Sequence, residues 1–249
     1  MKNIIKYIFI GFIQGITEFL PVSSSGHIVL FGSLFELDNL LLISVVAHIG
    51  TLFAVIYCYR KRLKELIVHP FNATNLNLII ATIPTVIGVL LFNDFIESHF
   101  STSALVWGFL VSAILLVNAD LKKDGNKYIT KKSSLYMGIS QAFAILPGFS
   151  RSGTTLTCGL LAGVKKQDAL DFSFLMSIPI IIASAIWESV DLLSCQITVS
   201  PIGIFIVMLS SFIFGILSIK LMLKTLNKNR LFYFSIYLVI LAFITVLVV

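Results

Sequence analysis

Residues 146–155 read LPGFSRSGTT. One arginine, Arg151, four hydroxyl side chains (Ser150, Ser152, Thr154, Thr155) and two glycines, Gly148 and Gly153, are gathered there. The surrounding chain is apolar: 249 residues, 57% hydrophobic, 12% charged, with a mean hydropathy of +0.99. A soluble domain carries about 25% charged residues. With half that, the chain cannot hide its apolar surface in one core, and it reads as an all-α polytopic membrane protein. Inside such a chain, Pro147 lacks an amide hydrogen and is followed by Gly and Ser, so a helix ends there.

A second turn of the same kind lies near the start. LPVSSSGH occupies 20–27, and Pro147 minus Pro21 and Ser150 minus Ser24 give the same offset of 126 residues. The helices before both turns carry a glutamine, Gln14 and Gln141, once a one-residue gap is allowed. The pieces 4–36 and 133–166 are each long enough to cross a bilayer and too interrupted to do so as one helix. Each is expected to be a re-entrant pair of half-helices, entering and leaving on one face. Irregular backbone at membrane depth is tolerated only where protein or a watery cavity surrounds it.

Six spans are expected between and after these pairs, near 40–59, 76–96, 103–119, 169–190, 202–222 and 231–249. The net charge of +6 falls in clusters between them: RKRLK at 60–64, KKDGNKYITKK at 122–132 and KLMLKTLNKNR at 220–230. That is the pattern of cytoplasmic loops rather than of a nucleic-acid partner, and none is expected. The connections around 93–101 and 191–201 carry acids without Lys or Arg and face outward. Six spans then alternate without conflict, at the cost of leaving Lys2 and Lys6 outside. The repeats, about 4–59 and 133–190 of a single domain over 1–249, are inverted, and such folds place their site near the midplane where the broken helices meet. No cleavable signal peptide is evident after Lys2 and Lys6.

Gln14 and Glu18 are four residues apart and share a helix face. A carboxylate at that depth is costly unless paired, and is a functional candidate for that reason. Its bland alternative is a structural pair with Arg151. His27, just past three serines, is expected to take part in chemistry rather than to serve as a hydrogen-bonded core residue. His48 is as readily a group next to the site as a packed one, and His69 and His99 read as loop or interface residues. Arg151 matches phosphate oxygens bidentately. Ser150, Ser152, Thr154 and Thr155 add hydroxyls, Gly148 and Gly153 let backbone amides approach, and a helix starting near 154 offers its positive end. Together these make an anion cradle. Asp168 is expected at a helix N-terminus, and Glu188 and Asp191 in hydrated outer positions. Cys58, Cys158 and Cys195 lack metal spacing and read as packing residues. The 21 phenylalanines face lipid or pack between helices, with some free to line a channel for an isoprenoid tail.

The pair QGITEFLPVSSSGH and LPGFSRSGTT closely resembles the two signature motifs of the bacterial undecaprenyl-pyrophosphate phosphatase family, the bacitracin-resistance proteins. The resemblance covers essentially the whole chain. It implies hydrolysis of undecaprenyl pyrophosphate to the monophosphate carrier lipid and inorganic phosphate, in a multi-pass protein of the bacterial plasma (inner) membrane whose site faces outward. Matched position by position, Glu18, Ser24, His27 and Arg151 are the catalytic candidates, Ser150, Arg151, Ser152 and Thr155 bind substrate, and Gln14 and Glu18 hold a divalent cation, Mg²⁺ or Ca²⁺. Gln14 stands where the family also uses glutamate, which leaves one carboxylate and one neutral amide oxygen for the metal. Ser24 or His27 attacks phosphorus, or His27 activates water, and Glu18 orients or deprotonates His27 or binds the metal. The partners implied are a polyprenyl pyrophosphate lipid and the membrane, with a homodimer left open. A rival reading from another class is a polyprenyl-phosphate lipid transporter or flippase that binds without cleaving. An assembly protein without a site leaves the buried polar cluster unexplained.

Overall fold

The computed structural model describes residues 2–35, 39–98, 102–192, 199–228 and 230–248. Among these residues, ten α-helices run in the order α1 (Lys2–Phe19), α2 (Ser24–Leu34), α3 (Leu40–Val68), α4 (Ala73–Ser98), α5 (Thr102–Asp120), α6 (Lys131–Phe143), α7 (Arg151–Leu161), α8 (Lys166–Leu192), α9 (Pro201–Asn227) and α10 (Phe232–Val248). The two broken pieces are the helix pairs α1–α2 and α6–α7, each interrupted at its Leu-Pro turn. Among the described residues, five helices are long and apolar enough to cross a membrane: α3, α4, α5, α8 and α9. The sixth expected span corresponds to α10, an apolar helix of 17 residues.

Several boundaries differ from the sequence expectation. The cluster at 60–64 was expected between spans, but α3 continues through it to Val68. The cluster at 220–230 likewise lies largely inside α9. Lys and Arg are good helix formers, so a charge cluster marks where a helix leaves the apolar layer and not where it stops. The first stretch of the 93–101 connection belongs to α4. The cluster at 122–132 contains an irregular segment, pinned where Lys127 N–H donates to Gly163 O and Lys165 N–H to Lys127 O. Thr130 then starts α6 with a reciprocal capping box to Ser133.

Tight backbone approach holds the first repeat against α9. Ser210 Oγ donates to Ile8 O at 2.8 Å, and two turns on Ser218 Oγ donates to Ile16 O at 2.7 Å. A β-carbon at Gly15 would come within 2.7 Å of Phe214 Cβ, so that contact requires glycine. The packing partners recur when each helix is exchanged with the one five places along. α1 and α3 pack on α9, α6 and α8 pack on α4, and α5 pairs with α10. The recurrence therefore reaches beyond the two stretches first read as repeats. Outward faces carry Leu90, Leu91, Phe92, Trp107, Leu217 and Phe243, all exposed, as expected of helices that meet lipid. Cys58 and Cys158 are free and half-buried, and Cys195 and His99 lie outside the described residues.

Candidate active site

Glu18 sits in the last turn of α1, one residue before the helix ends at Phe19. Its side chain is 6% exposed and paired on both oxygens. Oε1 accepts from Arg151 Nη2 at 2.5 Å. Oε2 accepts from Ser24 Oγ at 2.6 Å and from Gln14 Nε2 at 3.0 Å, and His48 Nε2 lies 3.8 Å from it. Four residues, one from each of α1, α2, α3 and α7, thus converge on one carboxylate. Removing either half of a buried ion pair of this kind costs about 3–5 kcal/mol, because the other charge is left uncompensated.

The turns bring those helices together. Ser150 is the N-cap of α7, its Oγ accepting from Gly153 N–H at 3.2 Å while its own N–H donates to Ser112 Oγ at 2.9 Å. The helix therefore begins at Arg151, three residues earlier than expected, because the first serine of the motif caps it. Ser152 Oγ donates to Leu20 O at 3.0 Å and so ties the second turn to the first. Gly148 adopts φ +80°, and a β-carbon there would lie 2.9 Å from Leu105 Cα. A β-carbon on Gly153 would lie 3.0 Å from Pro21 Cβ. Both glycines serve to dock one turn on α5 and on its counterpart, where the sequence reading had their amides approaching a ligand.

This geometry divides the expected residues. Gln14, Glu18, Ser24 and Arg151 come together. Thr155 does not join them: its hydroxyl bonds to Arg151 O at 2.8 Å and lies 2.6 Å from Ser173 Oγ on α8. The hydroxyls of Ser150 and Ser152 are committed to the turns just described. Among the described residues, three buried polar atoms of the two motifs have no partner: Arg151 Nη1, Gln14 Oε1 and Thr154 Oγ1. Buried polar groups are nearly always hydrogen-bonded, so the two orphans on residues that meet at Glu18, Arg151 Nη1 and Gln14 Oε1, indicate a place prepared for a polar ligand.

His27 is placed differently from expectation. Its Nδ1 lies 2.7 Å from Ser23 O and its Nε2 lies 2.6 Å from Tyr237 Oη on α10, so both nitrogens are engaged and neither meets Glu18. The histidine beside Glu18 is His48, whose Nδ1 bonds to Ser44 O at 2.8 Å. The sequence weighed His48 without choosing and gave no signal for Tyr237, which reads as one aromatic among many in FYFSIYLVI. Asp168 lies in the first turn of α8. Glu188 accepts from Ser184 Oγ at 2.7 Å.

Among the described residues no group of three or more His, Cys, Asp or Glu side chains could hold a metal ion. The donor set is one carboxylate, already paired with Arg151, next to an amide whose Oε1 is free. Mg²⁺ is commonly held through one or two carboxylates together with substrate phosphates. These residues fit a cation shared with a phosphate ligand, and not one caged by the protein.

A family model for the bacitracin resistance protein BacA matches residues 7–244. Undecaprenyl-diphosphatase 3 of Bacillus cereus is 39% identical over 241 residues, covering 94% of this chain and 93% of its own. The undecaprenyl-diphosphatase of Carboxydothermus hydrogenoformans is 36% identical over 258 residues, covering 99% and 97%. That of Borrelia recurrentis is 35% identical over 256 residues, covering 96% of each.

Proposed function

The chain belongs to the bacitracin resistance protein BacA family, and from that premise we infer that it is an undecaprenyl-diphosphatase whose reaction runs at the Glu18–Arg151 centre. It hydrolyses undecaprenyl diphosphate to undecaprenyl phosphate and inorganic phosphate, returning the carrier lipid to cell-wall synthesis. The observation that carries the site assignment is Arg151: Nη2 is held by Glu18, while Nη1 is buried and without a partner. A guanidinium fixed on one edge and free on the other offers a positioned donor to a phosphoryl oxygen.

Ser24 supplies the nucleophile. Its Oγ already donates to Glu18 Oε2 at 2.6 Å, the arrangement of a hydroxyl with its base. Attack of Oγ on the terminal phosphorus breaks the bridging P–O bond and passes the hydroxyl proton to Glu18. Undecaprenyl phosphate leaves, and water then cleaves the phosphoserine to release inorganic phosphate. Arg151 and the positive N-terminal ends of α2 and α7 stabilise the charge that builds on the equatorial oxygens. Glu18 gives the serine's proton to the departing phosphate oxygen and then takes the proton of the water in the second step, while His27, with both ring nitrogens engaged, stays outside the transfer.

Glu18 Oε2 and Gln14 Oε1 would hold a divalent cation together with the diphosphate, and such an ion would neutralise charge on the phosphoryl oxygens. The protein lies in the bacterial plasma membrane with this centre opening outward. That reading is supported by the basic residues of the 60–64, 122–132 and 220–230 segments, which belong on the cytoplasmic side. The test is phosphate release from a polyprenyl diphosphate by purified protein, with and without chelator and with Ser24→Ala. The reading requires release by wild type and its loss in the variant. Undiminished release by Ser24→Ala would remove the serine from the reaction.

A further inference from the structure

His48 differs from His27 in having one ring nitrogen uncommitted. Ser44 O, 2.8 Å from its Nδ1, is nearer than Ser44 Oγ at 3.4 Å, and a carbonyl can only accept. The ring proton therefore sits on Nδ1, and in a neutral ring Nε2 bears the lone pair. Its polar neighbour is Glu18 Oε2 at 3.8 Å, itself an acceptor and too far for a hydrogen bond. Gln14, on the same carboxylate, is fully buried, and its Oε1 has no donor either. Its amide now turns Nε2 to Glu18 Oε2 at 3.0 Å. Half a turn about the terminal bond exchanges the two amide atoms, sets Oε1 beside Oε2 and frees that lone pair of the carboxylate. Two oxygens and a nitrogen would then converge with no proton between them. Ligands about 2.1 Å from one ion stand about 3.0 Å apart when adjacent and about 4.2 Å apart when opposite. The separations of 3.0 and 3.8 Å from Oε2 fall within those limits.

We propose that His48 Nε2 is the third protein ligand of the divalent cation, beside Glu18 Oε2 and Gln14 Oε1, with diphosphate oxygens completing the sphere. The proposal rests on the hydrolase reading above and deepens its cation site. Metal-ligating histidines almost always donate their other ring N–H to a carbonyl or carboxylate, and Ser44 O provides that support here. A nitrogen in the sphere shifts preference away from Ca²⁺ and Mg²⁺, which favour oxygen, toward first-row transition ions. Neither Gln14 nor a neutral His48 brings charge, and the charge of Glu18 is already matched by Arg151. The ion is therefore retained firmly only when the diphosphate binds with it.

Two measurements test this, on full-length ¹⁵N-histidine-labelled protein in detergent micelles. The probe is Mn²⁺ added with methylenediphosphonate, whose P–C–P link cannot be hydrolysed. The first measurement is the electron spin-echo modulation of the bound Mn²⁺, which reports nitrogen attached to the metal. Wild type should show a ¹⁵N coupling that disappears in His48→Gln and persists in His69→Gln. Failure to bind Mn²⁺, bound Mn²⁺ without that coupling, or a coupling that survives His48→Gln would overturn the proposal. The second is affinity for Mn²⁺ in competition with Ca²⁺. The preference for Mn²⁺ should fall about 10-fold or more in His48→Gln. Gln14→Glu, which replaces a neutral oxygen ligand by an anionic one, should bind Mn²⁺ about 10-fold more tightly and keep the nitrogen coupling. An unchanged preference in the first variant, or an unchanged affinity in the second, would also overturn it. Mn²⁺ carrying the His48 coupling in a wild type that released no phosphate from a polyprenyl diphosphate would refute the hydrolase reading and leave this site standing.

Discussion

Arg151 divides its guanidinium between Glu18 and an unfilled direction, and this division can be probed one atom at a time. Arg151→Lys keeps the charge and the pairing with Glu18 but loses the second, fork-shaped donor, so kcat/KM should fall about 100-fold while the protein stays folded. Arg151→Ala should in addition destabilise, by about 3–5 kcal/mol, because Glu18 is left buried and unpaired. Adding Glu18→Gln to Arg151→Ala should recover much of that stability and none of the activity. Denaturation midpoints read beside phosphate release separate the two effects. The participants at this centre were partly legible in the sequence. Gln14, Glu18, Ser24 and Arg151 announce themselves because polar residues are costly in an apolar chain. His48 does not, because its partner Glu18 comes from another helix and nothing in its own neighbourhood points to that partner. Thr155 misled for the converse reason: a hydroxyl beside Arg151 in sequence is turned toward α8 by the helix it belongs to.

At the scale of elements, the two turns are docked on each other through Ser152 Oγ and Leu20 O, with Gly148 and Ser150 shaping the second. Ser150→Ala should cost about 1 kcal/mol of stability, the usual value of a lost N-cap. It should leave KM nearly unchanged, since the hydroxyl is spent on capping α7. A large rise in KM without a loss of stability would return Ser150 to the substrate. Gly148→Ala should be worse, because it puts a β-carbon in the left-handed region and against the backbone of Leu105. A midpoint at least as low as that of Ser150→Ala is expected. The sequence showed both broken pieces because proline and glycine are local signals. It misjudged the ends of α3 and α9 because hydropathy reports where the bilayer stops, and helices extend beyond it.

For the whole molecule, the packing that recurs with a five-helix shift brings α1–α2 and α6–α7 to one centre. The proposed orientation rests on the charge of the loops and can be read directly. With the three natural cysteines replaced by serine, a cysteine at Lys123 should react with a membrane-impermeant thiol reagent only after the cells are permeabilised. A cysteine at Ser200 should react in intact cells. The reverse pattern would turn the site to the cytoplasm. The central claim is that one buried Glu18–Arg151 pair, with Ser24 beside it, cleaves a lipid diphosphate. Its most direct measurement is inorganic phosphate released from polyprenyl diphosphate by the purified, folded protein, compared with Arg151→Lys and Glu18→Gln at matched stability. The account predicts release by wild type and a loss of about 100-fold or more in each variant. Folded wild type that binds the lipid and frees no phosphate, or variants that cleave as fast as wild type, would contradict it.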